Sequence, residues 1–294
     1  MKVNIEQFQK QYANESDCIP LVFRMKWPTG YHCPRCACAA FYIINTRRLP
    51  LYECRKCGHQ TSLTAGSIMD KSRTPLHKWL LVMYIVSACK TSINAVHLAK
   101  LIAVTYKTAW SMLNKVRRTI TDLDHTILLS GHIEAKPDIY TRRIFHSTET
   151  LQREQSVIVG RTKSSTGPSY YKIKLAPTQL DPRKPLSQAA EDEFRDTHID
   201  PAATHIDIIR KPIIPWGSHP QLRQFAPAAF QWMNDTFHGI SASMAQSYMD
   251  EYCFRINTKH LTPSQSFELL LGHSLTPNLA KDLAYSNSLL KWAM

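Results

Sequence analysis

A chain of 294 residues has room for two domains, or for one large domain with an appendage. Hydrophobic residues make up 44% of it and charged residues 20%, so it can bury a core and wholesale disorder is excluded. Lysine and arginine number 36 against 23 acidic residues, which gives a formal net charge of +13. A basic protein of this size is typical of chains that bind a polyanion, most often nucleic acid.

The basic charge is concentrated in the first part of the chain. Residues 1–130 carry 18 lysines and arginines against 7 acidic residues, whereas residues 131–294 carry 18 against 16. We therefore expect the first part to supply most of the phosphate contacts if the chain binds nucleic acid. The alternative is a basic surface that serves only solubility.

Neither a membrane span nor a signal peptide is expected. The longest apolar run, Trp79–Ala88, is too short to cross a bilayer, and polar residues interrupt the N-terminal stretch throughout. The eight cysteines are accordingly placed in a reducing cytoplasm, where their spacing indicates metal binding rather than disulfides.

Four of the cysteines form two C-x2-C pairs, Cys33 with Cys36 and Cys54 with Cys57, with 17 residues between the pairs. This spacing is typical of a zinc ribbon, in which each pair directs two thiolates at one ion. Four sulfur ligands leave no open coordination position, so the predicted Zn²⁺ is structural, and so small a module needs it to fold. The alternative is four ordinary free cysteines; Cys38 is a spare thiol, too close to Cys36 to replace a ligand.

Two short strands are expected between the cysteine pairs, at residues 41–44 and 49–52. The turn between them contains Arg47 and Arg48, which we predict to contact the DNA backbone.

Three helical segments follow the cysteines. Thr74 as N-cap and Pro75 at the first helical position predict a buried helix from Leu76 to about Lys90. The second helix covers residues 92–100 and the third residues 105–118, with Ala103 in the turn between them. The apolar stripes predicted to be buried are Ile93, Val96 and Leu101 on the second helix, and Ala109, Met112, Leu113 and Val116 on the third.

The second and third helices have the layout of a helix-turn-helix motif, which presents the start of its second helix to the major groove. Tyr106 and Lys107 are then expected at base edges, with Lys115 on the same exposed face. Arg117 and Arg118 are expected near backbone phosphates. The alternative is a plain helical hairpin that binds no DNA.

The second half of the chain alternates between strand and helix patterns. Strands are expected at residues 156–160, 170–175 and 203–209, and helices at residues 187–197 and 242–254. Strands, a crossover helix and a further strand are typical of a mixed α/β sheet.

In this order the motifs resemble the bacterial insertion-sequence transposases that carry an N-terminal zinc ribbon, a helix-turn-helix and a DDE (RNase-H-like) integrase domain. The matching segments are Cys33–Cys36, Leu51–Cys57, Thr64–Ser67, Arg73–Trp79, Tyr106–Trp110, Leu129–Gly131, Thr236–Ser241 and Tyr248–Asn257. The resemblance implies an α+β multidomain fold in which a zinc ribbon and a helix-turn-helix precede an RNase-H-like mixed sheet. The implied divisions are 1–30 (helical lead-in), 31–70 (ribbon), 71–125 (helix-turn-helix), 126–270 (RNase-H-like domain) and 271–294 (tail).

The resemblance also implies a catalytic site in which three acidic or amide side chains hold two divalent ions, usually Mg²⁺, about 4 Å apart. The first of these positions falls on Lys136, with Asp138 two residues further on and Glu134 on the same face of the strand. The second lies one residue away from Asp207, and the third falls on Ala228.

Mismatches at all three positions favour a decayed catalytic centre, in which Asp138 and Asp207 are remnants. Mg²⁺ is then expected only if the centre is intact. The alternative is a rearranged site that uses Asp138, Asp207 and a later carboxylate such as Glu251.

The leading hypothesis is a transposase-family protein that binds the double-stranded ends of an insertion sequence for DNA strand cleavage and transfer. A homo-oligomer on DNA is left open, and no membrane partner is expected. Two alternatives remain: a non-catalytic, zinc-dependent DNA-binding regulator derived from a transposase, and a zinc-ribbon protein that binds another protein.

Overall fold

The computed structural model of the chain describes residues 5–89, 92–141, 154–163, 167–176, 186–210 and 219–275. They form two compact units: the first takes the described residues up to Thr119 and from Thr262 onward, and the second those between Ile120 and Leu261. The helices are α1 (Ile5–Gln11), α2 (Glu15–Lys26), α3 (Leu76–Ala88), α4 (Ala95–Leu101), α5 (Tyr106–Thr126), α6 (Gln188–His198), α7 (Pro220–Phe237), α8 (Ala242–Asn257) and α9 (Pro263–Leu275). The strands are β1 (Phe41–Ile44), β2 (Leu51–Cys54), β3 (Gln60–Ser62), β4 (His132–Thr141), β5 (Glu154–Thr162), β6 (Tyr171–Leu175) and β7 (His205–Ile208).

The first unit contains an antiparallel sheet in the order β1-β2-β3. β1 lies where the sequence predicts it, but β2 begins at Leu51 rather than at residue 49, because Pro50 has no N–H to donate to the sheet. The sheet packs on α2 through aromatic rings: the ring centroid of Phe23 lies 5.1 Å from that of Tyr52 and 6.2 Å from that of Phe41. Helix α2 is therefore part of the core of the small sheet.

Helix α3 is the central helix of the first unit, as its unbroken apolar run predicts. Ten of its 13 residues are buried, and it packs against α1, α2 and α9. Phe8 of α1 stacks on Tyr84 of α3 with ring centroids 4.0 Å apart, and Phe267 of α9 closes the cluster. The predicted Thr74 cap is not formed; Glu15 caps the helix instead by accepting the Leu76 N–H at 2.8 Å.

Four residues connect α4 and α5, and Ala103 among them adopts the left-handed conformation with φ 49°. The buried stripe predicted for α5 is confirmed, since Ala109, Met112, Leu113 and Val116 are all buried. The stripe predicted for α4 is wrong: Val96 and Leu101 are exposed, and Ala95, Leu98 and Ile102 are buried. Asn94 caps the helix through the His97 N–H at 3.0 Å, so the helix starts later than predicted.

The second unit is built on a four-stranded sheet in the order β6-β5-β4-β7. Strands β4, β5 and β6 are antiparallel neighbours, and β7 follows α6 and runs parallel to β4. One face packs on α6, where Ile133, Ala135 and Ile158 meet Phe194. The other face packs on α7 and α8 through a cluster that includes Val157, Val159, Ile173, Phe230 and Met249.

Helix α8 covers the edge strand β6 with two amide side chains. Gln246 accepts the Leu175 N–H at 2.7 Å and donates to the Ile173 carbonyl at 2.9 Å. Asn257 accepts the Tyr171 N–H at 2.8 Å and donates to the carbonyl of the same residue at 2.9 Å. These bonds satisfy backbone groups that an uncovered edge would offer to another chain.

A buried ionic cluster joins β6 to α5 and α8. Lys174 lies 2.6 Å from Asp124 and 2.7 Å from Asp250, and Lys172 lies 2.8 Å from Asp124. All four side chains are at most 6% exposed, so the two positive and two negative charges must compensate one another. Burial opposes ionisation of Asp124, but the two lysines outweigh it and lower the pKa of that carboxyl.

The division into units differs from the predicted domain at residues 126–270. The second unit begins at Ile120 and ends at Leu261, and α9 belongs to the first unit because its Phe267 packs on Tyr84. Of the predicted tail, residues 271–275 complete α9, and the remainder lies outside the described residues. Helix α7 has no counterpart among the predicted elements. Throughout the described ranges, no helix is both long enough and apolar enough to cross a membrane.

Gly160 on β5 has no room for a side chain. A Cβ atom there would lie 2.9 Å from Leu129 Cδ1 and 2.9 Å from Phe194 Cζ. We therefore expect Gly160→Ala to lower the free energy of unfolding by about 1–3 kcal/mol, measured by denaturant unfolding. In a Phe194→Leu background, which lacks one of the two contacts, Gly160→Ala should cost less than it does in the wild type; an unchanged unfolding midpoint in the single Gly160→Ala variant would contradict the packing described here.

Candidate metal centre and nucleic-acid interface

The two cysteine pairs lie in turns with the same backbone geometry. In the first, the Cys33 carbonyl accepts the Ala37 N–H at 2.8 Å; in the second, the Cys54 carbonyl accepts the Gly58 N–H at 3.0 Å. Ala37 and Gly58 are both left-handed, with φ 56° and 67°. A repeated turn of this kind is what two equivalent halves of one metal site require.

The four sulfur atoms converge on one point, as the spacing predicts. Cys36 Sγ lies 3.4 Å from Cys57 Sγ and 3.5 Å from Cys54 Sγ, and Cys33 Sγ lies 3.6 Å from Cys57 Sγ. All four lie within 4.8 Å of one another. A tetrahedral zinc ion with Zn–S bonds of about 2.3 Å places its sulfurs about 3.8 Å apart, so the quartet fits structural Zn²⁺.

Backbone N–H groups prepare the site for a cation. Burial alone would raise the pKa of the Cys54 thiol, but hydrogen bonds from the backbone of Cys57 and Lys56 lower it to about 6. The thiolate, which is the form that binds zinc, is therefore favoured near neutral pH. Cys38 stays outside the quartet, with its sulfur 4.0 Å from the Ala40 carbonyl oxygen.

Five of the residues predicted to bind DNA lie on the surface. Tyr106, Lys107 and Arg118 are exposed on α5, and Arg47 and Arg48 are exposed in the turn between β1 and β2. They stay candidate contacts, since their side chains are accessible to a large ligand.

Three of the predicted DNA contacts are either bonded to other residues or buried. Arg48 lies 3.4 Å from Glu15 and donates to the backbone carbonyls of Ser72 and Arg73. Lys115 Nζ donates to the Ile68 carbonyl at 3.0 Å. Arg117 is 1% exposed, so its side chain is not accessible for the predicted phosphate contact in this arrangement of the chain.

A row of three charged residues crosses the sheet of the second unit. Glu134 on β4 is the register partner of Arg161 on β5 and of Asp207 on β7. Arg161 holds the Glu134 carboxylate at 2.7 and 2.8 Å, and Lys163 lies 3.4 Å from it. His219, just before α7, places Nδ1 3.6 Å from Glu134 and Nε2 3.4 Å from Asp207.

The arginine sets the charge state of this carboxylate. Burial would raise the pKa of Glu134, but the Arg161 guanidinium hydrogen-bonds to the carboxylate and keeps that pKa below its usual value. Glu134 is therefore ionised at neutral pH and already compensated by a protein cation.

The residues predicted as catalytic remnants are not brought together. Asp138 is paired with Lys136 at 2.5 Å, and it lies four residues along β4 from the register partner of Asp207, roughly 13 Å away along the strand. Ala228 is exposed on α7, and Glu251 is paired with Arg255 at 2.8 Å. A rearranged site made of Asp138, Asp207 and Glu251 is therefore not formed.

Sequence reasoning missed the roles of Arg161 and His219. A signal existed for each: Arg161 ends an apolar strand pattern, and His219 precedes a proline that starts a helix. Neither signal indicates a partner, because the partners lie on other strands. Glu134 was noted on its strand, but its pairing with Asp207 depends on the register between β4 and β7.

Metal analysis of cysteine variants tests the zinc site. The wild-type chain should bind one Zn²⁺, and Cys54→Ser should lose it together with the fold of the β1–β3 sheet, because three sulfurs no longer close a tetrahedral shell. Zinc per chain is measured by atomic emission, and folding by circular dichroism. Cys38→Ser is the matched control and should retain the metal; equal zinc in Cys54→Ser and Cys38→Ser would contradict the assignment.

Comparison with known proteins agrees with this geometry. Residues 13–60 match the family model of the transposase zinc-ribbon domain, which includes helix α2 as well as the four cysteines. An uncharacterized protein in transposable element ISH50 of Halobacterium salinarum is 28% identical over 116 residues. That alignment covers 39% of this chain and 38% of the relative. No solved structure gives a significant match. Residues 13–60 therefore match a transposase zinc-ribbon domain, and part of the chain is similar to a protein of a transposable element.

Proposed function

We propose that this chain is a transposase-family protein that binds the double-stranded ends of an insertion sequence with its first unit, and that its catalytic centre no longer holds metal ions. The proposed DNA binding rests on the distribution of charged residues in the first unit. Residues 71–121 contain nine lysines and arginines and no aspartate or glutamate. A stretch of 51 residues without a carboxylate, next to a transposase zinc ribbon, favours a phosphate backbone as partner.

Helices α4 and α5 supply the groove-binding part as a helix-turn-helix. The left-handed Ala103 makes the tight turn between them, and Lys78 donates to the Ala103 carbonyl at 3.1 Å, which holds the turn in place. Tyr106 and Lys107 are exposed at the start of α5, the part of the second helix that reads base edges in such motifs. Arg118 and Arg47 are the accessible candidates for phosphate contacts.

The second unit is proposed to be RNase-H-like. Three antiparallel strands, a crossover helix and a fourth strand parallel to the first give the order β6-β5-β4-β7, which supports this interpretation. The adjacent Glu134 and Asp207 are then the best candidates for the first two acidic positions. The imidazole of His219, the residue just before α7, lies close to both of these carboxylates.

The charge balance at this site argues against two bound dications. Glu134 and Asp207 contribute two negative charges, and Arg161 and Lys163 contribute two positive ones. A pair of Mg²⁺ ions needs a surplus of carboxylate oxygens that are free to coordinate. Here Glu134 is already held by Arg161, which an ion would have to displace, and Asp138 lies too far along β4 to add a ligand.

DNA binding is tested by its dependence on salt. Wild-type protein should bind duplex DNA, with affinity falling steeply as salt rises, and Arg118→Gln should lower the slope of log K against log salt by about 1, since one phosphate contact is lost. The affinities are measured by fluorescence anisotropy with duplexes from the ends of the element. Lys259→Gln, an equal charge change at an exposed site of the second unit, is the control. No duplex binding at low salt would refute the proposal.

Catalysis is tested separately. With Mg²⁺ or Mn²⁺ present, the wild-type protein should leave bound duplexes uncut, because its carboxylates are compensated internally. The readout is a denaturing gel of end-labelled strands, with Asp207→Asn as the matched variant that should behave identically. Mn²⁺-dependent cleavage by the wild type that disappears in Asp207→Asn would refute the inactive centre and leave the DNA-binding half standing.

A further inference from the structure

We propose that the exposed aromatic side chains of α5, and Trp110 above all, recognise thymine methyl groups in the major groove. This inference rests on the proposed DNA-binding function and names the chemistry that the helix reads. Trp110 is 44% exposed, and Tyr106, one turn earlier, is 57% exposed. Two large apolar side chains left in water on one helix indicate a surface that a ligand covers.

The two rings belong to a single stripe of the helix. At 100° per residue, Tyr106, Lys107, Trp110, Ser111 and Arg118 fall within an arc of about 140°, and all five are exposed. The opposite side of α5 carries the buried Ala109, Met112, Leu113 and Val116. The packing requirement of the core is thus met by other residues, and Trp110 is available to an external partner.

Charge decides which partner fits this stripe. Lys107 and Arg118 flank the rings, and the surrounding residues 71–121 include no carboxylate. A second copy of the chain would bring the same positive stretch to the interface, where like charges repel. Duplex DNA supplies the opposite charge along its backbone and presents apolar thymine methyl groups in the major groove.

The side chains at the front of α5 offer apolar surface as well as hydrogen-bonding groups. Lys107 and Ser111 can hydrogen-bond to base edges, but Tyr106 and Trp110 supply most of the exposed side-chain surface in the first two turns of the stripe. The hydroxyls of Thr105 and Thr108 are hydrogen-bonded to each other at 2.9 Å. Apolar contact with a thymine methyl group is the specific interaction that the two rings can make.

Replacing thymine by uracil removes the methyl group and nothing else. A duplex selected for binding from a randomised pool is resynthesised with deoxyuridine at each thymidine in turn. Wild-type protein should bind about fourfold more weakly for each contacted methyl removed, the value expected for burying one such group. Trp110→Ala should bind the thymidine duplex more weakly and lose the response to uridine at one or more positions.

The control is Tyr42→Ala, which removes an aromatic ring of similar exposure from the zinc-ribbon sheet. It should keep the full response to uridine. Circular dichroism checks that both variants are folded.

The outcomes separate this inference from the function on which it rests. Equal wild-type affinity for thymidine and uridine duplexes would overturn methyl recognition while leaving DNA binding intact. No binding of any duplex would overturn both. A change in the solution mass of the free protein on Trp110→Ala, measured by sedimentation, would also overturn the inference, because the ring would then lie in a contact between copies of the chain.

Discussion

Four sulfur atoms within 4.8 Å of one another cannot all be thiolates unless a cation lies among them, and the first unit is organised around this constraint. The sulfurs come from two turns of the same shape, one before β1 and one at the end of β2, so a bound zinc ion would hold the two strands of the hairpin together. The aromatic rings of α2 then pack on a sheet of three short strands that would be too small to fold unaided. Glu15 of α2 connects the hairpin to α3, since it caps α3 and pairs with Arg48 in the turn of the hairpin.

The positive charge of the first unit serves two purposes. Part of it is internal: Lys26 donates to three backbone carbonyls at and just after the end of β3, and Lys78 and Lys115 each donate to one carbonyl of a connecting segment. Burial lowers the pKa of Lys26 to about 8, which is the cost of using a lysine as a backbone anchor. The remaining cations, among them Lys107 and Arg118, face solvent on the same stripe of α5 as two exposed aromatic rings. A net charge taken from composition therefore overstates what is available to a polyanion.

The sheet of the second unit carries balanced charges instead of a positive excess. Arg161 is paired with Glu134 and Lys136 with Asp138, and the lysines of β6 are paired with Asp124 and Asp250. Buried pairs of this kind are costly to break once formed, because removing one partner leaves the other charge buried and uncompensated. The strand order of the sheet therefore supports the proposed RNase-H-like fold, whereas the pairing of its charges supports the proposed loss of metal binding.

The sequence by itself determined the features that depend on local spacing. The zinc ligands follow from two C-x2-C pairs, the burial of α3 from its unbroken apolar run, and the buried face of α5 from its helical periodicity. Only the tertiary structure decided which distant residues meet. The row Arg161–Glu134–Asp207 depends on the register of three strands, and a shift of one residue in any of them would turn its side chain to the other face. The burial of Arg117 and the return of α9 to the first unit are likewise set by packing between segments far apart in the chain, which no local pattern encodes.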